Sequence, residues 1–185
     1  MTKITRPVIK ELSIEPYNDI SILNSVAANL DGMDFKNVKT KYAKGGWDAV
    51  SLHGYGNHPL DILKPGVLKS SVNIDTKLQW TTLSVITTMK PILDMLKKLP
   101  CEFERVRFMR LQAGKVIGKH TDKIDKDIGF DDGDIIRIHM PIRTNDNVVF
   151  TLYENTKDKD GTEHILKSGH YYYTDVTKAH ACLLY

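Results

Sequence analysis

Three residues in the C-terminal third of the sequence have side chains that can bind a metal ion. His120 and Asp122 are separated by one residue, and His180 lies far downstream. On an extended strand, residues two apart point to the same side, so His120 and Asp122 can reach one ion. A histidine from a distant strand would complete a set of two histidines and one carboxylate. Such a set covers one side of a metal and leaves the other positions open, as in non-haem Fe(II) oxygenases.

Other interpretations of the same residues stay open at this point. Zinc hydrolases use similar donors, so the ligand set alone does not define the metal. His120 with Asp122 is also compatible with a surface ion pair. His180, between Ala179 and Ala181, is compatible with an ordinary core histidine. The residues that surround these three positions have to decide between the interpretations.

A second pair of polar residues has the same spacing. Arg137 and His139 are two apart, so both can point into a barrel while Ile136, Ile138 and Met140 pack on its other side. A dicarboxylate that is removed from water needs charged hydrogen bonds, and arginine offers a planar pair of donors. A purely structural role in the barrel interior is the alternative.

Helical patterns dominate the first hundred residues. Apolar residues recur at helical spacing over residues 17–30, where Asn18 is the predicted N-cap. A second helical pattern covers residues 82–99, with Pro91 as a predicted kink or break, and it ends before Pro100.

Strand patterns follow Pro100. The predicted strands include residues 135–142, 148–153 and 171–176, with glycines at the turns between them. Helices followed by many short strands predict an α+β, mainly β, fold in which the helices buttress one side of a β-sandwich or barrel. We expect a single domain over residues 1–185, with a helical and mixed support region at 1–100 and a β core at 101–185.

The composition is typical of a globular protein, with 41% hydrophobic and 26% charged residues. A net charge of +3, from 26 basic and 23 acidic residues, is too weak to predict nucleic-acid binding. No apolar run approaches the roughly 20 residues of a membrane span. The N-terminus lacks the apolar stretch of a signal peptide. We therefore expect a cytoplasmic protein without membrane contact, in which Cys101 and Cys182 are small buried residues rather than a disulfide.

Longer stretches around the polar residues carry a family resemblance. They read RVRFMRLQAGKVIGKHTD at 105–122, RIHMPIRTN at 137–145 and GHYYYTDVTKAH at 169–180. Together they resemble the aspartyl/asparaginyl β-hydroxylase-like family, which includes free-amino-acid hydroxylases such as the proline hydroxylases. The stretch GWDAVSL at 46–52 looks like an upstream element of the same family.

The resemblance implies a double-stranded β-helix, of jelly-roll or cupin-like type, that hydroxylates an amino-acid side chain, free or in a peptide. It implies Fe(II), 2-oxoglutarate as cosubstrate, and dioxygen. By matching positions, His120, Asp122 and His180 look like the iron ligands. Arg137 and His139 match an Arg-x-His element that helps to bind the cosubstrate. The alternative function is a cupin-like protein that binds a small ligand, either without catalysis or with another metal.

The sequence departs from the resembling proteins after His180. In those proteins a further strand follows this histidine and carries an arginine that pairs with the 5-carboxylate of 2-oxoglutarate, whereas this sequence ends at Tyr185. Either the chain is truncated, or another basic group such as Arg110, Arg137 or Arg143 binds this carboxylate instead. We expect weak cosubstrate affinity in this 185-residue form. We also expect an exposed or partner-covered sheet edge beside residues 179–185.

Two further segments have predicted roles. The acidic run at residues 125–134 follows the metal motif and is a candidate lid. Residues 171–173 are three tyrosines whose side chains are expected to alternate between core and rim, where one of them can touch substrate.

Overall fold

The computed structural model describes residues 9–62, 78–85, 89–122 and 136–184. These residues form two β-sheets and two α-helices. The helices are α1 (Ile20–Asp31) and α2 (Lys90–Leu96), with a 3-10 helix at Thr82–Val85. The strands are β1 (Ile9–Glu11), β2 (Lys36–Thr40), β3 (Ala43–Tyr55), β4 (Leu78–Trp80), β5 (Val106–Arg110), β6 (Val116–His120), β7 (Arg137–His139), β8 (Val148–Tyr153), β9 (Thr162–Ile165), β10 (Tyr172–Thr174) and β11 (Ala179–Leu184).

Helix α1 begins one residue later than its predicted cap. The side chain of Asp19, and not that of Asn18, accepts a hydrogen bond from the backbone N–H of Ile22 at 3.1 Å. Either residue type can serve as an N-cap, so the sequence alone could not choose between these neighbours. The apolar face of α1 is buried as the spacing predicted, through Leu23, Val26, Ala27 and Leu30.

The prediction of one kinked helix over residues 82–99 is wrong, because a 3-10 helix at Thr82–Val85 precedes a separate helix α2. Pro91 lies in the first turn of α2, so it starts the helix instead of kinking or breaking it. A proline is favourable there because the first N–H groups of a helix have no partner within it.

The main core lies between the helices and one face of the larger sheet. Val50, Leu52 and Phe108 of the sheet pack against apolar residues of both helices. Tyr171 is fully buried in this cluster, and its hydroxyl donates to the carbonyl of Met95 at 3.1 Å. The predicted arrangement of helices against one side of a β structure is confirmed by these contacts.

The larger sheet, as far as the described residues show it, has eight strands in the order β2-β3-β6-β11-β8-β9, with β4 and β5 also paired to β3. Strand β11 lies between β6 and β8, which pair with it on both sides. The expected free edge beside residues 179–185 is therefore wrong, because the backbone groups of β11 are already used by two neighbours.

Strand β3 was not among the predicted strands, although it pairs with four others. The smaller sheet has the order β1-β10-β7. Within the described residues the two sheets do not close into a barrel, so the mainly β class is confirmed while the double-stranded β-helix remains a prediction. None of the helices in these ranges is long and apolar enough to cross a membrane. Cys101 is exposed, contrary to the expectation that it is buried.

Candidate metal centre

Strands β6 and β11 bring the two histidines together. They run antiparallel with His180 directly opposite His120, so both side chains lie on the same face of the sheet. The ring centroids are 4.2 Å apart. Asp122 lies two residues beyond β6, and its backbone N–H donates to the carbonyl of Val176 at 2.9 Å. All three side chains therefore converge from segments whose backbones are held by hydrogen bonds.

The distances within the group suit one metal ion. His120, Asp122 and His180 each offer one ligand atom, and these atoms all lie within 4.8 Å of one another. Nε2 of His120 is 3.7 Å from Oδ1 of Asp122. His180 is buried and the other two residues are partly buried.

Hydrogen bonds determine which nitrogen of each histidine can bind a metal. Nδ1 of His120 is 2.9 Å from the carbonyl oxygen of Gly118, and Nδ1 of His180 is 3.0 Å from that of Lys178. A carbonyl only accepts, so Nδ1 has to carry the proton and Nε2 keeps its lone pair. Histidines that bind metals usually have such a partner on the other nitrogen.

The electrostatics keep Asp122 and His180 in the protonation states that a metal requires. Burial raises the pKa of Asp122, but the charge and hydrogen bond of Arg137, with smaller contributions from the two histidines, outweigh it, so the pKa is lowered overall. Burial lowers the pKa of His180, which favours the neutral imidazole. A charged carboxylate beside a neutral imidazole is the state that binds a divalent cation.

Arg137 reaches the group from the smaller sheet. Its Nη1 donates to Oδ2 of Asp122 in a short ion pair, which leaves Oδ1 facing His120. The sequence predicted that Arg137 points towards the site, but it did not predict this contact with a candidate ligand. The ion pair joins β7 of the smaller sheet to the segment that follows β6 of the larger one.

His139 lies beside the same group but has no comparable partner. Its Nε2 is buried without a hydrogen bond among the described residues. Burial, with the charges of Arg137 and His180, lowers its pKa to about 3, so the ring is neutral. On the opposite side of this strand Ile138 and Met140 pack against the main core as predicted.

Some sequence predictions near the site differ from the structure or lie outside it. Ile136 is exposed, although it was expected to pack with Ile138 and Met140. The predicted lid at residues 125–134 lies outside the described residues. Tyr171 and Tyr172 are buried and Tyr173 is partly buried, so the first two belong to the interior.

A comparison with protein families identifies the family to which the chain belongs. The family model for aspartyl/asparaginyl beta-hydroxylase matches residues 21–183. The chain belongs to the aspartyl/asparaginyl beta-hydroxylase family. A search of curated proteins finds no match. For a member of this hydroxylase family, two imidazoles with free Nε2 atoms and one carboxylate are donors that fit a divalent metal such as Fe(II), with one side of the ion left open.

Sequence reasoning missed an aromatic residue that packs against the candidate ligand His120. Tyr42 precedes β3, and its ring stacks on that of His120 with centroids 4.0 Å apart and planes 7° apart. The carbonyl of Tyr42 also accepts a hydrogen bond from Gly118 at 2.7 Å. No local sequence pattern predicts this contact, because it depends on the pairing of β3 with β6.

We expect the Tyr42 ring to contribute to metal affinity by restraining His120. A stacked aromatic pair contributes about 0.5–1.5 kcal/mol. Tyr42→Ala should therefore weaken Mn(II) binding by about 2- to 10-fold, as measured by calorimetry without oxygen. Tyr42→Phe keeps the ring and should bind Mn(II) like the unmodified protein. Equal affinities for all three proteins would show that the stack does not position His120.

Proposed function

We propose that this protein is a non-haem Fe(II)- and 2-oxoglutarate-dependent dioxygenase that hydroxylates an amino-acid side chain, free or within a peptide. The observation that carries the proposal is the group of His120, Asp122 and His180, with ligand atoms within 4.8 Å, in a member of a hydroxylase family. Three protein ligands on one side of an ion leave room for a chelating cosubstrate and dioxygen, which suits this reaction. We propose that the substrate is a free amino acid or a peptide.

When bound, Fe(II) with 2-oxoglutarate and dioxygen supplies the oxidation of a C–H bond, with release of succinate and carbon dioxide. The protein contributes placement and surroundings. His120, Asp122 and His180 would hold the metal through two Nε2 atoms and a carboxylate oxygen. Arg137 keeps the carboxylate of Asp122 ionised and oriented through its ion pair.

Aromatic side chains lie against both candidate histidines. Tyr42 stacks on His120, and the Phe150 ring is 5.8 Å from that of His180 at an interplanar angle of 16°. Their apolar faces lower the local polarity around the imidazoles and strengthen electrostatic interactions there. His139 lies against Phe150 at 5.5 Å. We propose that Arg137 and His139 also line the binding site of the cosubstrate.

The test is anaerobic addition of Fe(II) and then 2-oxoglutarate to the protein. A 2-oxo acid that chelates Fe(II) gives a charge-transfer band in the visible spectrum, and we expect this band to form and to saturate. Admission of oxygen should then release succinate even without added substrate. Zn(II) in place of Fe(II) is the matched control, because it can occupy the same donors without colour or turnover.

The outcomes separate the proposal from its rivals. A band with succinate release supports the oxygenase. Tight Zn(II) binding with neither band nor succinate would favour a metal-dependent protein of another class, and metal binding with a band but no succinate would favour a passive binder. A screen of amino acids and short peptides for a mass increase of one oxygen atom would then identify the substrate.

A further inference from the structure

The arginines in the described residues differ in whether they make an ion pair with a carboxylate. Five arginines lie in the described residues, and four of these make ion pairs: Arg105 with Glu104, Arg110 with Asp48, Arg137 with Asp122 and Arg143 with Asp31. The fifth is Arg107, whose guanidinium has no ion pair or hydrogen bond within the described part of the chain. Sequence reasoning did not single it out.

Arg107 lies on β5, on the side of the sheet that also carries Trp47. It is opposite Ser51 in the pairing of β5 with β3, and side chains alternate along β3, so Ser51 and Trp47 point to the same side. The Cζ atom of Arg107 is 5.3 Å from the centroid of the Trp47 ring. Arg107 also borders a narrow pocket with His53 and Arg105, so its side chain is partly buried but not sealed beneath other residues.

The charges of the candidate metal centre act on Arg107. Burial, together with the positive charges of Arg105 and Arg137, lowers the pKa of Arg107 to about 10, and the negative charges of Asp122 and Glu104 oppose that shift. Asp122, Arg137 and Arg107 also act on the pKa of Tyr42, which burial raises most, and the ring of Tyr42 stacks on a candidate ligand. Trp47, which lies beside Arg107, belongs to one apolar cluster with Tyr42, and the Tyr42 ring stacks on His120, so Arg107 lies in the surroundings of the same site. Its guanidinium remains positively charged at neutral pH.

A guanidinium withdrawn from water needs an opposite charge. The contact with Trp47 offsets only part of this cost, because an aromatic face is a weaker partner than a carboxylate. Asp122 does not supply the charge, since one of its oxygens accepts from Arg137 and the other faces His120. The planar pair of N–H donors of Arg107 is therefore available to bind an anionic group of a ligand.

We propose that Arg107 binds the 5-carboxylate of 2-oxoglutarate. The assignment rests on the function proposed above, in which the opposite end of the molecule chelates the metal. An arginine can hold a carboxylate with two parallel hydrogen bonds. Arg110 and Arg143, which the sequence suggested for this role, are already held by the carboxylates of Asp48 and Asp31.

An amino-acid substrate also carries a carboxylate, so the test has to report on the cosubstrate alone. It compares 2-oxoglutarate with 2-oxopentanoate, which has the same chain length and chelating end but no distal carboxylate. Calorimetry on the Mn(II)-loaded protein gives both dissociation constants without turnover. We expect Arg107→Gln to weaken 2-oxoglutarate roughly 10- to 100-fold, the usual effect of a charge-assisted hydrogen bond, and to leave 2-oxopentanoate unchanged.

Matched variants control for charge and for folding. Arg107→Lys keeps the positive charge without the planar pair of donors, so its affinity for 2-oxoglutarate should lie between those of Arg107→Gln and the unmodified protein. Arg110→Gln and Arg143→Gln each remove one positive charge elsewhere and should change neither constant. Thermal unfolding of each metal-free variant checks that it folds. If Arg107→Gln does not fold, Arg107→Lys carries the comparison.

The possible results distinguish this inference from the proposed function. An unchanged preference for 2-oxoglutarate in Arg107→Gln would overturn the assignment and would leave the substrate carboxylate as the anion that fits Arg107. Equal weakening of both 2-oxo acids would also overturn it, because that pattern indicates a general disturbance of the site. If the unmodified Mn(II)-loaded protein binds neither 2-oxo acid, the proposed function fails, and this inference fails with it.

Discussion

Replacing His180 with alanine is expected to abolish metal binding by this protein. His180 offers one of the three ligand atoms, and the hydrogen bond from its Nδ1 to the carbonyl of Lys178 leaves Nε2 for the metal. Because partners of ligands alone account for about 10- to 100-fold in affinity, loss of a ligand itself should cost more than about 100-fold. His120→Ala should have the same effect. Calorimetry with Mn(II), as an inert substitute for Fe(II), measures both.

The control for this prediction is a histidine of the same sheet that does not belong to the group. His164 lies on β9, and His164→Ala should leave the affinity unchanged. Since His180 is buried, alanine also leaves a cavity, so the unfolding temperature of the metal-free variant has to be compared as well. His180→Asn fills more of that space and should still bind no metal. Unchanged affinity in the variants of both candidate histidines would show that the ligand assignment is wrong.

The meeting of His120 with Asp122 could be predicted because it depends on local spacing. The two residues lie two positions apart along an extended segment, with one residue between them, and that period holds wherever the segment lies in the fold. His180 is different, since its position opposite His120 depends on which strands become neighbours. Only the resemblance of the surrounding stretches to a known family connected the two histidines in advance.

Strand β3 shows why the rest of the sheet could not be predicted. Its sequence contains Gly45 and Gly46, which both have positive φ angles and interrupt the alternation by which a strand is recognised. The segment is nevertheless a strand of thirteen residues, because β2, β4, β5 and β6 all pair with it. Such pairing is a property of the whole fold, and it cannot be predicted from the strand propensity of one segment.

The same limit applies to the contacts of charged residues. Arg110 and Arg143 were both plausible partners for a dicarboxylate on sequence grounds, yet each makes an ion pair with Asp31. Arg107 carries the same charge but lies beside Trp47, and no carboxylate in the described part of the chain makes an ion pair with it. Sequence patterns identify the residue type, whereas burial and neighbours decide which arginine is available to a ligand.

Arg137→Leu is expected to weaken metal binding as well as cosubstrate binding. The family resemblance of the sequence implied only that Arg137 helps to bind the cosubstrate, and on that basis the variant would lose 2-oxoglutarate with little loss of metal. The ion pair between Arg137 and Asp122 changes that expectation, because it holds Oδ2 and leaves Oδ1 directed at His120. Without Arg137 the carboxylate is free to rotate, and its pKa loses the charge that keeps it low. Partners of metal ligands typically account for about 10- to 100-fold in affinity, so we expect Mn(II) binding to fall by that factor.

Two variants decide whether this loss is specific to the pair of Arg137 with Asp122. Arg137→Lys keeps a positive charge near the carboxylate but not the planar pair of donors, so it should recover part of the metal affinity. Arg143→Leu removes an exposed arginine from its pair with Asp31 and should change nothing at the site. Calorimetry should be accompanied by thermal unfolding without metal, because a partly buried carboxylate that loses its partner also destabilises the fold. If Arg137→Leu retains full Mn(II) affinity and loses only 2-oxoglutarate, the ion pair does not support the metal ligand, and the expectation from the sequence is the better description of Arg137.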